Sequence, residues 1–145
     1  MPKRTLVAVV FVAIAGLLVG EAAEAQSTVQ INSVVVADQD GRTRPFHKAN
    51  EQVFVLVVME NVTSQEQPFS LGCKVDGLEV CYWTGGINPA SRHLLPSATR
   101  VVLPPGVHTV VATVCASSYP CGHSEDDDVL DEMTVQFRVY RPRTN

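Results

Sequence analysis

From about residue 28 onward the chain is written in short runs of Val, Ile, Thr and Phe, broken by Gly, Pro, Asn and Asp. Residues 29–36 are β-branched and half alternating, and Asp38-Gln39-Asp40-Gly41 stops them with turn residues. Residues 53–59 (VFVLVVM) form an unbroken apolar run, the pattern of a strand at the centre of a core. A polar loop is expected over 60–68, and then a hairpin over about 69–83 centred on Asp76-Gly77. Residues 85–91 read as loop, and 99–103 as a short strand ended by Pro104-Pro105-Gly106. Residues 107–115 alternate, and 133–140 close the chain with Val135, Phe137 and Val139 on one face. Residues 129–133 could form one helical turn at most. About seven short strands with turn signals between them predict an all-β sandwich, in which two one-sided sheets cover each other's apolar faces.

The first two dozen residues follow a different pattern. Lys3 and Arg4 precede an uncharged apolar run over 6–19, and Ala23-Glu24-Ala25 offers a small-x-small cleavage site before Gln26. This is the layout of a secretory signal peptide, and its run of about 14 residues falls short of the roughly 20 that span a bilayer. The expected organisation is a signal peptide over 1–25 and one domain over 26–145, secreted to an extracellular or periplasmic space. No membrane contact is expected after cleavage. The formal net charge is -4, and losing Lys3, Arg4, Glu21 and Glu24 leaves it unchanged. A mildly acidic domain with scattered cations lacks the footprint of a nucleic-acid or anionic-lipid binder.

Four cysteines, Cys73, Cys81, Cys115 and Cys121, all follow the cleavage site, and an even number in an exported chain reads as disulfides. Three connectivities are open. A three-residue loop of Asp76, Gly77 and Leu78 would set Val75 against Glu79 and Cys73 against Cys81, while Cys115 and Cys121 would close a small loop. A Cys73–Cys115 bridge across the core is the main competitor.

Cys73-Lys74-Val75-Asp76-Gly77 with a second Cys81, then Leu103-Pro104-Pro105-Gly106-Val107-His108-Thr109, then a terminal alternating strand, resemble bacterial-type immunoglobulin-like repeats. The resemblance covers roughly residues 69–140 and implies an immunoglobulin-like β-sandwich in an extracellular setting, with no single activity attached. The chain departs from such repeats in having one module and an extra cysteine pair. It departs from antibody domains in having Thr113 where a tyrosine would precede the second core cysteine.

Candidate chemistry is sparse. Asp126, Asp127, Asp128 and Asp131 sit in an acidic stretch whose oxygens Ca²⁺ would accept, although consecutive carboxylates on an extended loop diverge. Cys115, Cys121 and His123 would suit Zn²⁺ as thiolates and imidazole, but export favours disulfides. His47, His93 and His108 are singletons, expected to be structural. No Gly-x-Ser-x-Gly elbow is present and the cysteines are expected to be paired, so no catalytic role and no cofactor are expected. For binding, the candidates are Tyr82, Trp83, Arg92 and Tyr119, at the loops 85–96 and 117–130 where a sandwich presents its recognition surface. Trp83 equally suits packing against the hairpin disulfide. Asn61-Val62-Thr63 has the form of an N-glycosylation acceptor. The reading that follows is a secreted binding or structural module contacting a protein or glycan, with a small metal-binding protein as the alternative.

Overall fold

The computed structural model describes residues 28–97, 99–116, 121 and 128–144, so the expected signal peptide lies outside the described residues. Nine strands run in chain order: β1 Val29–Asp38, β2 Phe46–Lys48, β3 Gln52–Asn61, β4 Gln67–Val75, β5 Leu78–Ile87, β6 Arg92–Pro96, β7 Val101–Val102, β8 Gly106–Cys115 and β9 Val129–Tyr140. They form two sheets. In the first, β3 lies between β1 on one side and β6 and β7 on the other; the second has the order β2-β9-β8-β4-β5. All pairings are antiparallel except β2 with β9.

The core lies between the sheets, where alternate residues of facing strands meet. Val53, Val55, Val57 and Met59 of β3 face Leu71 and Cys73 of β4, Val110, Ala112 and Val114 of β8, and Phe137 and Val139 of β9, all buried in one cluster. In β8 the alternation is complete from His108 to Val114, with every second residue buried. β3 alternates too, but Phe54, Leu56 and Val58, which point away from the core, are apolar and half-buried. The unbroken apolar run therefore serves two faces of one sheet rather than a strand enclosed on both sides.

The hairpin differs from expectation in an instructive way. Asp76 and Gly77 have φ of 49° and 82°, the two positive values of a type I′ turn, so the loop has two residues and Val75 pairs with Leu78. A plain two-residue hairpin would then set Cys73 opposite Val80. A bulge between Cys73 and Lys74 absorbs one residue of β5 and restores the Cys73–Cys81 pair. Val80 and Cys81, though consecutive, are both buried as a result.

Both local bridges form: Cys73–Cys81 with Cα atoms 4.9 Å apart, and Cys115–Cys121 with 5.5 Å. Closing loops this short stabilises the fold by about 2–3 kcal/mol each in the chain-entropy account. They are bonds of an oxidising compartment.

Other departures extend strands. β3 reaches Asn61 and β4 begins at Gln67, which shortens the expected 60–68 loop. β5 runs through Gly85 and Gly86 to Ile87, held by pairing with Phe69, Pro68 and Gln67. Residues 129–133, considered for a helical turn, are strand because Val129, Asp131, Glu132 and Met133 pair with β8. β2 and β6 are too short to show an alternation that sequence reading could detect.

Candidate functional site

The outward side chains of the five-stranded sheet come from alternate positions of its strands, and the register sets them in rows. Thr134, Val111, Lys74 and Glu79 share one row; Glu132, Thr113, Gly72 and Tyr82 share the next. Opposite signs face each other at Lys74 and Glu79, and the Thr113 hydroxyl donates to Glu132 Oε2 at 3.1 Å. Tyr82 is 41% exposed, enough for its ring to be a contact surface.

The Cys115–Cys121 disulfide brings Cys121 back over this sheet. A Cβ at Gly72 would stand 3.1 Å from the Cys121 carbonyl oxygen, so glycine lets the returning chain lie close against β4. The result is a groove of about 300 Å³. Gly72, Val111 and Thr113 floor it; Lys74 and Glu79 stand at one wall, Cys121 and Glu132 at the other. Beside the groove, Tyr82 continues the Gly72 row. This volume sits at the lower edge of the roughly 300–1,000 Å³ usual for ligand sites. A second concavity of about 270 Å³ lies at the open flank of the sandwich, lined by residues such as Val34, Val36, Arg44 and Phe137.

The expected binding residues do not converge. Tyr82 faces outward, whereas Trp83 pairs with the fully buried Leu71 and turns toward the core. The Trp83 indole donates to the Pro96 carbonyl at 3.1 Å, joining β5 to β6 of the other sheet. Arg92 lies on the four-stranded sheet, its Nε 3.3 Å from Glu60 Oε2. Tyr119 lies outside the described residues, and so do Asp126, Asp127 and His123. Of the acidic stretch, Asp128 and Asp131 are placed: Asp128 is exposed, its carbonyl accepting from the Ala116 amide at 3.0 Å, and both carboxylate oxygens of Asp131 are engaged by amides, Ile31 N–H donating to Oδ2 at 2.8 Å and Glu132 N–H to Oδ1 at 2.9 Å. With Cys115 and Cys121 joined, neither sulfur is the thiolate that zinc binds. Among the described residues no group of three or more His, Cys, Asp or Glu is arranged to hold a metal ion.

The buried ionisable groups are structural. His108 places Nε2 2.7 Å from the Pro104 carbonyl and Nδ1 2.6 Å from Asp76 Oδ2. Burial opposes its charge, but the hydrogen bonds to Asp76 and Pro104 and the attraction of the carboxylate outweigh this, so its pKa is raised. Asp76 is held below the ordinary carboxylate range by His108 and by the Thr109 amide. Asp38, fully buried, accepts from the amides of Arg42 and Asp40 and pairs with Arg44. Burial alone would raise its pKa; the Arg42 amide, the Arg44 guanidinium and the Asp40 amide together lower it. His47 is enclosed beside this cluster, with Nε2 2.9 Å from the Arg44 carbonyl.

Asn61 also proves structural. Its side chain is fully buried, Nδ2 donating to the carbonyls of Gln65 at 2.7 Å and Ile87 at 2.9 Å, while Oδ1 accepts from the Thr63 amide at 2.9 Å. The groove itself had no signature in sequence, because its residues are spread over four strands and one loop. From the sequence, Val75 rather than Lys74 was expected opposite Glu79, and nothing singled out Gly72.

No family model matches the chain, and no curated protein does. Solved structures do. The C-terminal domain of Wzt superposes with a TM-score of 0.60 at 14% identity, over 81% of this chain and 77% of that one. The CARDB domain of a Pyrococcus furiosus protein, crystallised in complex with di-metal ions, gives 0.50 at 17% identity, over 77% and 90%. A GH2 β-galacturonidase from Eisenbergiella tayi, bound to galacturonate, gives 0.54 at 8% identity over 77% of this chain but 19% of its own length. At such identities the likeness concerns the fold, and by fold this chain is an immunoglobulin-like β-sandwich.

Proposed function

We propose that this chain is an exported, non-catalytic recognition module that binds a glycan on the outer face of its five-stranded sheet. The observation that carries the reading is the groove beside Tyr82, walled by Cys121 and the β4–β5 hairpin. The groove is lined by an ammonium, two carboxylates and a hydroxyl, and the Tyr82 ring stands in the adjoining row, a mixture that suits a sugar's apolar faces and ring hydroxyls. A protein partner would need about 800 Å² of contact per side, which a groove this small does not supply. The floor of the site stands on sheet positions fixed by backbone pairing, so these residues need little ordering on binding. Catalysis is disfavoured because His108 has both ring nitrogens engaged and His47 is enclosed. The paired cysteines and the signal-like N-terminus of the sequence support the extracellular setting.

The test is titration of the protein with a panel of soluble oligosaccharides by calorimetry. Binding to one class, weakened roughly tenfold or more by Tyr82→Ala with the fold intact by circular dichroism, supports the reading. No binding across the panel, or binding indifferent to both Tyr82→Ala and Lys74→Ala, rejects it.

A further inference from the structure

The flank of the sandwich between β1 and β9 is bridged at both ends and open between them. At the start of β9, Asp131 spans it: Oδ2 accepts from the Ile31 amide of β1 and Oδ1 from the Glu132 amide of β9. Toward the end of β9 the chain itself spans it. Thr43 pairs with Ala37, and the Arg42 carbonyl accepts from the Asp38 amide of β1 at 3.0 Å. The Pro45 carbonyl then accepts from the Arg138 amide of β9, also at 3.0 Å, just before Phe46 opens β2. At each end, an amide of β1 and an amide of β9 are both met by acceptors.

Between these ends the two edges continue. Successive residues of a paired strand turn their main-chain groups to opposite sides. Arg138 turns its amide away from β8, and the β8–β9 register is unbroken from Val139 to Asp131, so Gln136 and Thr134 turn theirs the same way. On β1, Asp38 turns its amide away from β3, and Val36 and Val34 follow it. Val55, opposite Val36, fixes the parity, since its amide and carbonyl are both bonded to Ser97 on the far side of β3. Among the described residues no strand pairs with either edge over this stretch. A cavity of about 270 Å³ lies here, its apolar wall made by Val34, Val36, Val135 and Phe137.

We propose that this flank is a strand-acceptor site and that its occupant is an extended peptide segment of a partner protein. The segment adds to β9 ahead of β2, its carbonyls accepting from the Thr134 and Gln136 amides and its amides donating to their carbonyls. Alternate residues set aliphatic side chains into the cavity against Val34, Val36 and Phe137. The edge already takes a strand one step further on, where Phe46–Lys48 pair with Arg138–Tyr140. The bridges limit the length: from Glu132 to Arg138 is about 20 Å by strand rise, room for some five extended residues. A sugar carries no row of carbonyls and amides at strand spacing, and a helix has spent its own within itself. The flank is an edge and the groove an outer face, so this site requires nothing of the glycan reading.

NMR titration of the purified protein with the end-blocked peptide Thr-Val-Thr-Val-Thr tests the proposal. Saturable shifts are expected at the Thr134 and Gln136 amides, with hydrogen exchange there slowed roughly tenfold or more. The same peptide N-methylated at every residue keeps its side chains and loses its donors, and is expected to bind roughly tenfold more weakly or worse. Gln136→Pro removes an edge donor and no bond to β8, so circular dichroism should be unchanged while peptide binding falls about fivefold or more. No saturable shift up to the peptide's solubility limit overturns the proposal. So does equal affinity for the N-methylated peptide, undiminished binding to a folded Gln136→Pro, or shifts confined to the β5 edge.

Discussion

His108 Nδ1 and Asp76 Oδ2, 2.6 Å apart, lock the β4–β5 turn onto the start of β8. Asp76 also exchanges both backbone-directed bonds with Thr109: its amide donates to the Thr109 carbonyl, and its Oδ1 accepts from the Thr109 amide, each at 2.9 Å. The Pro104 carbonyl can only accept, so Nε2 must carry a hydrogen, and an ionised Asp76 requires one on Nδ1 as well. While Asp76 is ionised, the form of the ring that satisfies both contacts is the imidazolium. This explains in physical terms why an Asp-Gly turn and a Pro-Gly-x-His-Thr segment occur together in the chain.

The pair makes stability depend on pH. His108 has a raised folded-state pKa, so its contribution is complete below about 6.5, the unfolded value, and is lost as pH rises through the folded value. Asp76 has a lowered one, so its contribution is present above about 3.9 and is lost as pH falls through the folded value. Urea unfolding across the pH range should show stability declining on the alkaline side above about 6.5. In His108→Gln that decline should disappear, and an unchanged slope would rule out the ion pair as its source.

Asn61 predicts an unoccupied sequon. Both hydrogens of Nδ2 are engaged in a fully buried site, so a glycan there is incompatible with the folded chain. Protein secreted by a glycosylating host should carry no sugar at Asn61 by peptide mass. Asn61→Asp, which turns a carboxylate oxygen toward the carbonyls of Gln65 and Ile87, should cost about 2–4 kcal/mol in urea unfolding. Folded protein with a sugar on Asn61 would refute this account.

Asp131 should act as a clasp between the sheets. Its two oxygens hold the Ile31 amide of β1 and the Glu132 amide of β9, where β2 has ended and the flank of β9 is open. Asp131→Ala should cost about 1–3 kcal/mol. It should also speed hydrogen exchange at both amides, measured by NMR, while leaving the Val57 amide unaffected. Protection at Ile31 equal to that of the wild type would defeat the assignment.

Much of the fold was legible along the chain because its signals are local. The alternation of β8, the turn residues at Asp38–Gly41 and Asp76-Gly77, and the short spacing of each cysteine pair all act between near neighbours. The sandwich and both bridges follow from them. Position along the chain could not reveal which side of β3 meets the core, since VFVLVVM is apolar on both; the pleat and the opposing sheet chose the odd-numbered residues. Nor could it show that Cys121 returns over Gly72 or that Tyr82 and Trp83 part to opposite faces. It was equally silent on Asn61 and Asp131 reaching backbone groups far from them in sequence. Those relationships depend on strand order and register, which bring together residues whose separation along the chain carries no information about their distance in space.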